Sequence, residues 1–203
     1  MGTLAQGTKH REKGTDTIKF SHPKQVPKGQ TATYIRIVVD TRPNKKVKER
    51  VRPTIGGDKV DYQGDVTTCT ADLTTIKMHL NSTISTPDAK FMRLDLKNFY
   101  LNTPLDEHMF AHLAIKYIPK QFMDEYNIWD LVVNGYVYME VMKGMYGLPQ
   151  AGRLANLLLR KGLAPHGIHE CKHTPGLWRH AVNNLAFTLW VDDFGIRKWT
   201  SSG

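Results

Sequence analysis

Two adjacent aspartates follow an apolar segment near the end of the chain. Residues 185–198 read LAFTLWVDDFGIRK, so Asp192 and Asp193 lie between two mostly apolar runs. Carboxylates at the edge of a core lose hydration and repel each other, so this placement is costly unless a cation offsets it. A second apolar stretch, FMRLDLKNFY, carries Asp95 in a comparable position. Three carboxylates on two strands predict a site for a cation that prefers oxygen ligands, such as Mg²⁺.

The same aspartates also fit a purely structural interpretation. Asp favours turns and tolerates unusual backbone angles, so an Asp-Asp pair in a hairpin turn does not by itself indicate chemistry. The chemical interpretation depends on the second strand converging on the first. Two Mg²⁺ ions about 3.5–4 Å apart could then activate an attacking hydroxyl and stabilise a leaving pyrophosphate in phosphoryl transfer.

Hydrophobic periodicity predicts the elements that position these carboxylates. Alternating or β-branched segments predict strands at 31–41, 50–57, 89–101, 135–144 and 175–180, and a hairpin across 184–199 with the aspartates at its turn. Helical spacing predicts helices over 70–84, with Thr70 as the N-cap, and over 149–167, with an apolar stripe of Ala151, Leu154, Ala155 and Leu158. Pro53 restricts its strand to a sheet edge or a bulge. Together the patterns predict an α+β fold with an antiparallel sheet and helices on one face.

The charge is concentrated in the first third of the chain. Residues 1–60 contain 14 Lys/Arg against 5 Asp/Glu, which accounts for the whole net charge of +9. Such a basic region suits a polyanion, most often nucleic acid, although a solvated basic arm explains it equally well. The sequence has no transmembrane segment and no secretory signal, and its two cysteines suggest no disulfide framework. We therefore expect an intracellular protein without a membrane partner.

Three motifs in order resemble those of reverse transcriptases from copia-type LTR retrotransposons. They are LDLKNFYLNTPL, KGMYGLPQAG and LWVDDFG, and they span about half of the chain. The flanking stretches GTDTIKF, RVRPTIGGDKVDYQGDVTT and TPGLWRH are similar to segments of the same polyproteins. Each motif is weak alone, but three in the family's order are a strong signal.

The resemblance implies roles for individual residues. Asp95, Asp192 and Asp193 match the carboxylates that hold two Mg²⁺ ions, or Mn²⁺, and Leu96 matches a residue whose backbone carbonyl also binds metal. The residues matched to nucleotide binding are Tyr100, Gln150, Arg50 and Arg52. In the family, the aromatic residue at the position of Tyr100 excludes a 2′-hydroxyl and so selects dNTPs. The two arginines would bind the triphosphate, because a guanidinium donates two parallel hydrogen bonds to phosphate oxygens.

The resemblance also implies an architecture and a cellular setting. We expect a basic arm or linker over 1–31, a fingers-like region over 32–88 and a ferredoxin-like polymerase palm over 89–203, with the thumb and RNase H parts absent. The implied reaction is RNA-directed DNA synthesis, with an RNA template, a DNA primer and dNTPs as partners, and remaining polyprotein segments as further ones. The expected location is a cytoplasmic virus-like particle or the nucleus.

Two other interpretations remain open. The chain could be an inactive fragment that only binds nucleic acid through its basic region. It could also be organised by zinc, for which the candidate ligands are His166, His169, Cys171, His173 and His180. Their spacing does not repeat the ligand pairs typical of structural zinc sites, and only one thiolate is available.

Overall fold

The apolar segments of the sequence form strands and the helically spaced ones form helices, which gives a mixed α+β structure. The computed structural model describes residues 4–5, 14–44, 46 and 48–200. Its strands are β1 (Ile18–Ser21), β2 (Thr33–Thr41), β3 (Glu49–Ile55), β4 (Lys90–Asp95), β5 (Pro104–Ala114), β6 (Val132–Val133), β7 (Tyr136–Lys143), β8 (Ile168–Glu170), β9 (Leu177–His180), β10 (Leu185–Trp190) and β11 (Asp193–Lys198). Its α-helices are α1 (Leu73–Ile84), α2 (Lys120–Glu125) and α3 (Ala151–Leu163). The predicted α+β class is confirmed.

The chain forms two units, each built from two separate segments. Unit 1 comprises residues 1–65 and 100–151, and unit 2 comprises residues 66–99 and 152–203. The predicted division into three consecutive regions, 1–31, 32–88 and 89–203, concerns polymerase subdomains and stays a prediction.

Unit 1 is centred on a sheet with the strand order β1-β7-β5-β2-β3, and β6 also pairs with β7. The pairing is antiparallel except between β2 and β5, which meet in a short parallel stretch. Burial alternates along strand β7 as its sequence predicts: Val137, Met139 and Val141 are fully buried and their neighbours are more exposed. Strand β3 lies at the sheet edge, where Pro53 removes no hydrogen bond that an inner strand would need.

Part of the predicted arm belongs to the core of unit 1. Strand β1 pairs with β7, and Ile18 is only 1% exposed. The N–H groups of Thr17 and Ile18 both donate to the carbonyl oxygen of Leu4, at 2.7 and 3.1 Å. The prediction of a linker without a core was therefore wrong for this stretch, because a four-residue strand is too short to show a period. Most of residues 1–13 lie outside the described part of the chain.

Unit 2 contains a second antiparallel sheet, with the order β4-β11-β10-β9-β8. Leu189 lies opposite Phe194 and Phe187 opposite Trp178, so these four side chains share one face and form a buried core. The opposite face carries the alternate residues, including Arg197. The Asp-Asp hairpin predicted from the sequence is β10–β11.

The two long helices lie against opposite faces of the unit 2 sheet. Leu159 and Leu163 of α3 pack against the core cluster of Trp178 and its neighbours. Helix α1 lies on the other face, where the guanidinium of Arg197 donates to the hydroxyl of Ser82 at 2.6 Å. The expectation that helices occupy one face is therefore wrong for this sheet. Alternation along β10 and β11 leaves both of its faces partly apolar, so each face needs cover.

Two details of the helices differ from prediction. The N-cap of α1 is Asp72, whose carboxylate accepts from the N–H of Thr75 at 2.6 Å. Thr70 cannot serve, because the N–H of Ala71 is bonded to the carbonyl of Leu189 in β10 and holds the chain outside the helix. In α3, Ala151 and Ala155 of the predicted stripe are buried and Leu154 is partly buried, but Leu158 is exposed. The stripe continues instead through the partly buried Leu159 and Leu163.

None of the helices in the described ranges combines the length and the apolar character that a membrane span requires.

Candidate active site

The hairpin between β10 and β11 turns over two residues. Trp190 lies opposite Asp193, so Val191 and Asp192 form the turn. Val191 has φ = 61°, a left-handed conformation in which a β-branched residue is strained, and such a hairpin turn usually places glycine or asparagine there. Strain of this kind costs about 1–3 kcal/mol and is most often found at functional sites. The aspartates are therefore positioned by a backbone conformation at Val191 that a β-branched residue disfavours.

The third aspartate lies directly across the sheet from the hairpin. Asp95, the last residue of β4, is the register partner of Asp193, so both side chains leave the same face. The N–H of Leu96 donates to the carbonyl oxygen of Asp192 at 3.2 Å, which ties the end of β4 to the turn. All three predicted carboxylates thus come from one end of two paired strands. Like charges directly opposite each other repel, so the pair needs a compensating cation.

Arg93 supplies that cation in this structure. Its terminal nitrogen donates to both carboxylate oxygens of Asp193, at 2.9 and 3.0 Å, and its Nε lies 3.3 Å from one of them. The Asp193 hydrogen bond, and then its charge, raise the pKa of Arg93. Arg93 is two residues before Asp95 on the same face of β4, so one guanidinium offsets charge from two strands. The i, i+2 spacing in MRLD places Arg93 and Asp95 on one face of a strand, but it does not indicate that the guanidinium reaches Asp193 on another strand.

The donors fit a divalent cation in kind, but they are not gathered around one point. Three carboxylates at one strand end are the oxygen ligands that Mg²⁺ prefers. In the described part of the chain, however, no three His, Cys, Asp or Glu side chains are grouped closely enough to hold a metal ion. Both oxygens of Asp193 are bonded to Arg93. Metal binding at this site would require the guanidinium to release Asp193.

Arg93→Gln is expected to change the response of unit 2 to Mg²⁺. Without the guanidinium, Asp95 and Asp193 repel each other, so the metal-free variant should melt at a lower temperature than the wild type. Added Mg²⁺ should then raise its melting temperature more than that of the wild type, because no internal cation competes. Circular dichroism melts with and without MgCl₂ measure both effects.

Arg93→Lys is the matched control for this comparison. Lysine keeps the charge but cannot form the two-pronged contact, so its Mg²⁺ shift should be intermediate. An equal Mg²⁺ shift in wild type and Arg93→Gln would contradict competition between Arg93 and the metal.

Two of the four residues matched to nucleotide binding contact the ring of the same tyrosine in unit 1. The ring of Tyr146 lies edge-on to Tyr100 with their centroids 5.4 Å apart. The guanidinium of Arg52 lies 5.5 Å from the centroid of the same Tyr146 ring. This arrangement places a cation and two aromatic rings together, which suits a phosphate attached to a flat or cyclic group.

The other two matched residues, Gln150 and Arg50, have different contacts. Gln150 is 3% exposed; its amide nitrogen lies 3.4 Å from the sulfur of Met109, while its Oε1 has no partner. Arg50 lies opposite Asp40 in the β2–β3 pair and is half-buried. The structure therefore does not bring these two residues to the Tyr146 cluster by any contact within the described residues.

Close backbone contacts in unit 1 join two glycine-containing segments. A Cβ at Gly147 would lie 2.2 Å from the carbonyl oxygen of Ile55, and one at Gly57 would lie 2.1 Å from the carbonyl oxygen of Gly147. Beside this contact is a cavity of about 350 Å³ lined in part by Tyr34 and Asp58. Tyr34 donates to the Asp58 carboxylate at 2.7 Å, and that bond raises the pKa of Tyr34. The glycines in IGG and YGL were the signal for this contact, which sequence analysis left unused.

The proposed zinc ligands of the alternative interpretation do not form a cluster in the described residues. His180, for example, accepts hydrogen bonds at Nδ1 from the N–H groups of Val182 and Asn183, at 3.0 and 2.9 Å, and so fixes the tight turn after β9.

Comparison with known proteins finds no family whose model matches the chain and no curated protein significantly similar to it.

Proposed function

We propose that the chain is the palm and fingers part of a copia-type retrotransposon reverse transcriptase, which adds dNTPs to a DNA primer on an RNA template. The observation that carries the proposal is the register of β4 and β11. It brings Asp95 directly opposite Asp193 and beside the turn residue Asp192, as the resemblance of the three motifs requires. If Asp192 and Asp193 served only to form a turn, a third aspartate opposite them on another strand would not be expected.

In this proposal the three aspartates would hold the metal. Bound Mg²⁺, or Mn²⁺, would activate the primer hydroxyl and stabilise the leaving pyrophosphate. The chain would fix the backbone positions of the carboxylates in advance, Asp95 and Asp193 through the ladder and Asp192 through the bond from Leu96. The side chain of Asp193 would turn to the metal once Arg93 releases it. Preorganised charge of this kind supplies most of the rate in phosphoryl transfer, because little reorganisation is needed during the reaction.

The aromatic and basic cluster of unit 1 supports a nucleotide-binding role. Arg52 and Tyr100 both contact Tyr146, so their positions depend on each other. Arg52 would bind phosphate oxygens, and the Tyr100 ring would contact the sugar and disfavour a 2′-hydroxyl. Gln150 and Arg50 retain the nucleotide-binding roles that the resemblance assigns. The basic excess in residues 1–60 would attract the template and primer phosphates.

A second candidate function is binding of nucleic acid without catalysis. The observation that favours it is the ion pair between Arg93 and Asp193, which already neutralises one of the three carboxylates. A site in which an arginine has permanently replaced the metal would bind nucleic acid through its basic residues and catalyse nothing. The two candidates differ in their dependence on metal and dNTPs.

Primer extension tests the two functions against each other. The purified chain is incubated with a DNA primer annealed to RNA, dNTPs and Mg²⁺, and is compared with Asp192→Asn and with Asp88→Asn. The control makes the same charge change at an exposed turn residue of unit 2. Extension by wild type and Asp88→Asn alone is the expected result. Extension that persists in Asp192→Asn would refute the assignment, and binding without extension by any variant would favour the non-catalytic candidate.

The setting follows from the same proposal. A retrotransposon polymerase would act in a cytoplasmic virus-like particle or in the nucleus, together with the remaining parts of its polyprotein.

A further inference from the structure

Unit 2 contains a cavity of about 450 Å³ between α1 and the sheet. It lies on the face opposite the Trp178 core, and its walls are mostly apolar, with contributions from Met78, Leu177 and Trp199. A volume of this size, mostly apolar and with a few polar groups, is typical of sites for small organic ligands. None of the residues in its lining is a candidate catalytic or nucleotide-binding residue.

A buried histidine presents an unused polar atom to this cavity. His79 of α1 is 7% exposed and lines the cavity, and its Nε2 has no hydrogen-bond partner. Burial lowers the pKa of His79 and so favours the neutral imidazole, while the backbone of Gly195 hydrogen-bonds to the ring. The bond to Gly195 leaves Nε2 as the ring nitrogen without a partner, and an unprotonated ring nitrogen accepts a hydrogen bond. A buried acceptor without a donor costs about 1–3 kcal/mol, so a ligand that donates here would be stabilised.

Two arginines give the cavity a positive charge. Arg197 donates to the hydroxyls of Ser82 and Thr86, at 2.6 and 2.7 Å, and its guanidinium lies 4.2 Å from the centroid of the Trp199 ring. Its Nε is buried without a partner. Arg179 lines the same cavity, and in the described chain neither arginine forms an ion pair with a carboxylate. The lining contains no Asp or Glu, so the positive charge of the two arginines can pair with an anion from solution.

We propose that this cavity binds a small planar aromatic anion that carries an O–H or N–H donor. The aromatic body packs between Met78, Leu177 and Trp199, the carboxylate pairs with Arg197 and Arg179, and the donor bonds to His79. The apolar walls favour an aromatic carboxylate over a sugar phosphate, whose hydroxyls would lose their hydration against Met78 and Leu177. The site does not depend on the proposed polymerase function.

Titration calorimetry with 4-hydroxybenzoate tests the chemistry of the site. We expect saturable binding of one molecule per chain. Benzoate lacks the donor for His79, and 4-hydroxybenzamide lacks the charge for the arginines. Each should bind about tenfold more weakly or worse, because benzoate leaves the buried Nε2 of His79 unpaired and 4-hydroxybenzamide cannot form the charge-assisted bonds to the arginines. Equal binding of all three compounds would overturn the assigned recognition.

Three variants test the location. Ala186→Leu fills the cavity from β10 and should abolish binding, while Arg197→Gln should weaken it about tenfold or more. Lys198→Gln is the matched control, since it removes one positive charge from the next residue of β11, whose side chain leaves the other face. Melting curves of each variant identify any loss of fold. No saturable binding by the wild type, or unchanged binding in folded Ala186→Leu and Arg197→Gln, would overturn the proposal.

Discussion

Asp95→Asn is expected to lower Mg²⁺-dependent primer extension by at least about 10²-fold while leaving unit 2 folded. Asparagine has the same shape as aspartate and keeps one oxygen, so the backbone ladder between β4 and β11 is not disturbed. What it removes is one negative charge that faces Asp193. Under the proposed function that charge holds the metal, and a neutral amide binds Mg²⁺ far less well.

The same substitution should not weaken the fold, and this separates function from structure. Asp95 is exposed and faces a like charge, so its neutralisation relieves repulsion. The melting temperature of metal-free Asp95→Asn should therefore equal or exceed that of the wild type. Full primer extension by Asp95→Asn would mean that the carboxylate serves no catalytic purpose. Lost extension together with a lower melting temperature would point to a structural role instead.

The candidate catalytic carboxylates could be placed from sequence because their positions follow from strand ends. The apolar run of β10 and the turn preference of Asp located the hairpin to within a residue, and Asp95 closes a short apolar strand. The pairing of β4 with β11 was needed to bring Asp95 and Asp193 together. The resemblance to a polymerase suggested that pairing, whereas the pattern of either strand alone did not contain it.

Other features could not be predicted because they depend on contacts distant in the chain. Strand β1 is short and forms only through its pairing with β7. The N-cap of α1 moved from Thr70 to Asp72 because Ala71 is bonded to β10. Arg93 has an ordinary local sequence, and its role became visible only when the register placed it diagonally from Asp193. In each case a tertiary contact outweighed local preference.

The glycines of the YGL and IGG segments have a structural reason, which is a close contact between two backbone segments. In unit 1, Gly147 has φ = 95°, and the N–H of Ile55 donates to the carbonyl oxygen of Tyr146 at 2.8 Å. The two backbones approach so closely that no side chain fits at Gly147. The glycine in the YGL motif therefore has a steric reason, independent of any catalytic role, and the contact places Tyr146 where it meets Arg52 and Tyr100.

Gly147→Ala is expected to destabilise unit 1 by about 2–5 kcal/mol, from two causes that add. The left-handed φ costs a residue with a Cβ about 1–2 kcal/mol. The methyl group would in addition lie 2.2 Å from the Ile55 carbonyl oxygen, and forcing backbone apart in a packed region costs a further 1–3 kcal/mol, roughly. Chemical denaturation followed by circular dichroism measures the change in the free energy of unfolding.

Gly135→Ala separates the two causes, because it has the same backbone constraint without the collision. Gly135 has φ = 79°, and no atom lies within 4 Å of the position that an alanine Cβ would take, so only the conformational cost applies. It should destabilise unit 1 by about 1–2 kcal/mol. A loss at Gly147 no larger than the loss at Gly135 would contradict the close contact between the YGL and IGG segments. A larger loss would establish that this contact is a requirement of the fold. The contact also positions Tyr146, so it constrains the cluster that Tyr146 forms with Arg52 and Tyr100.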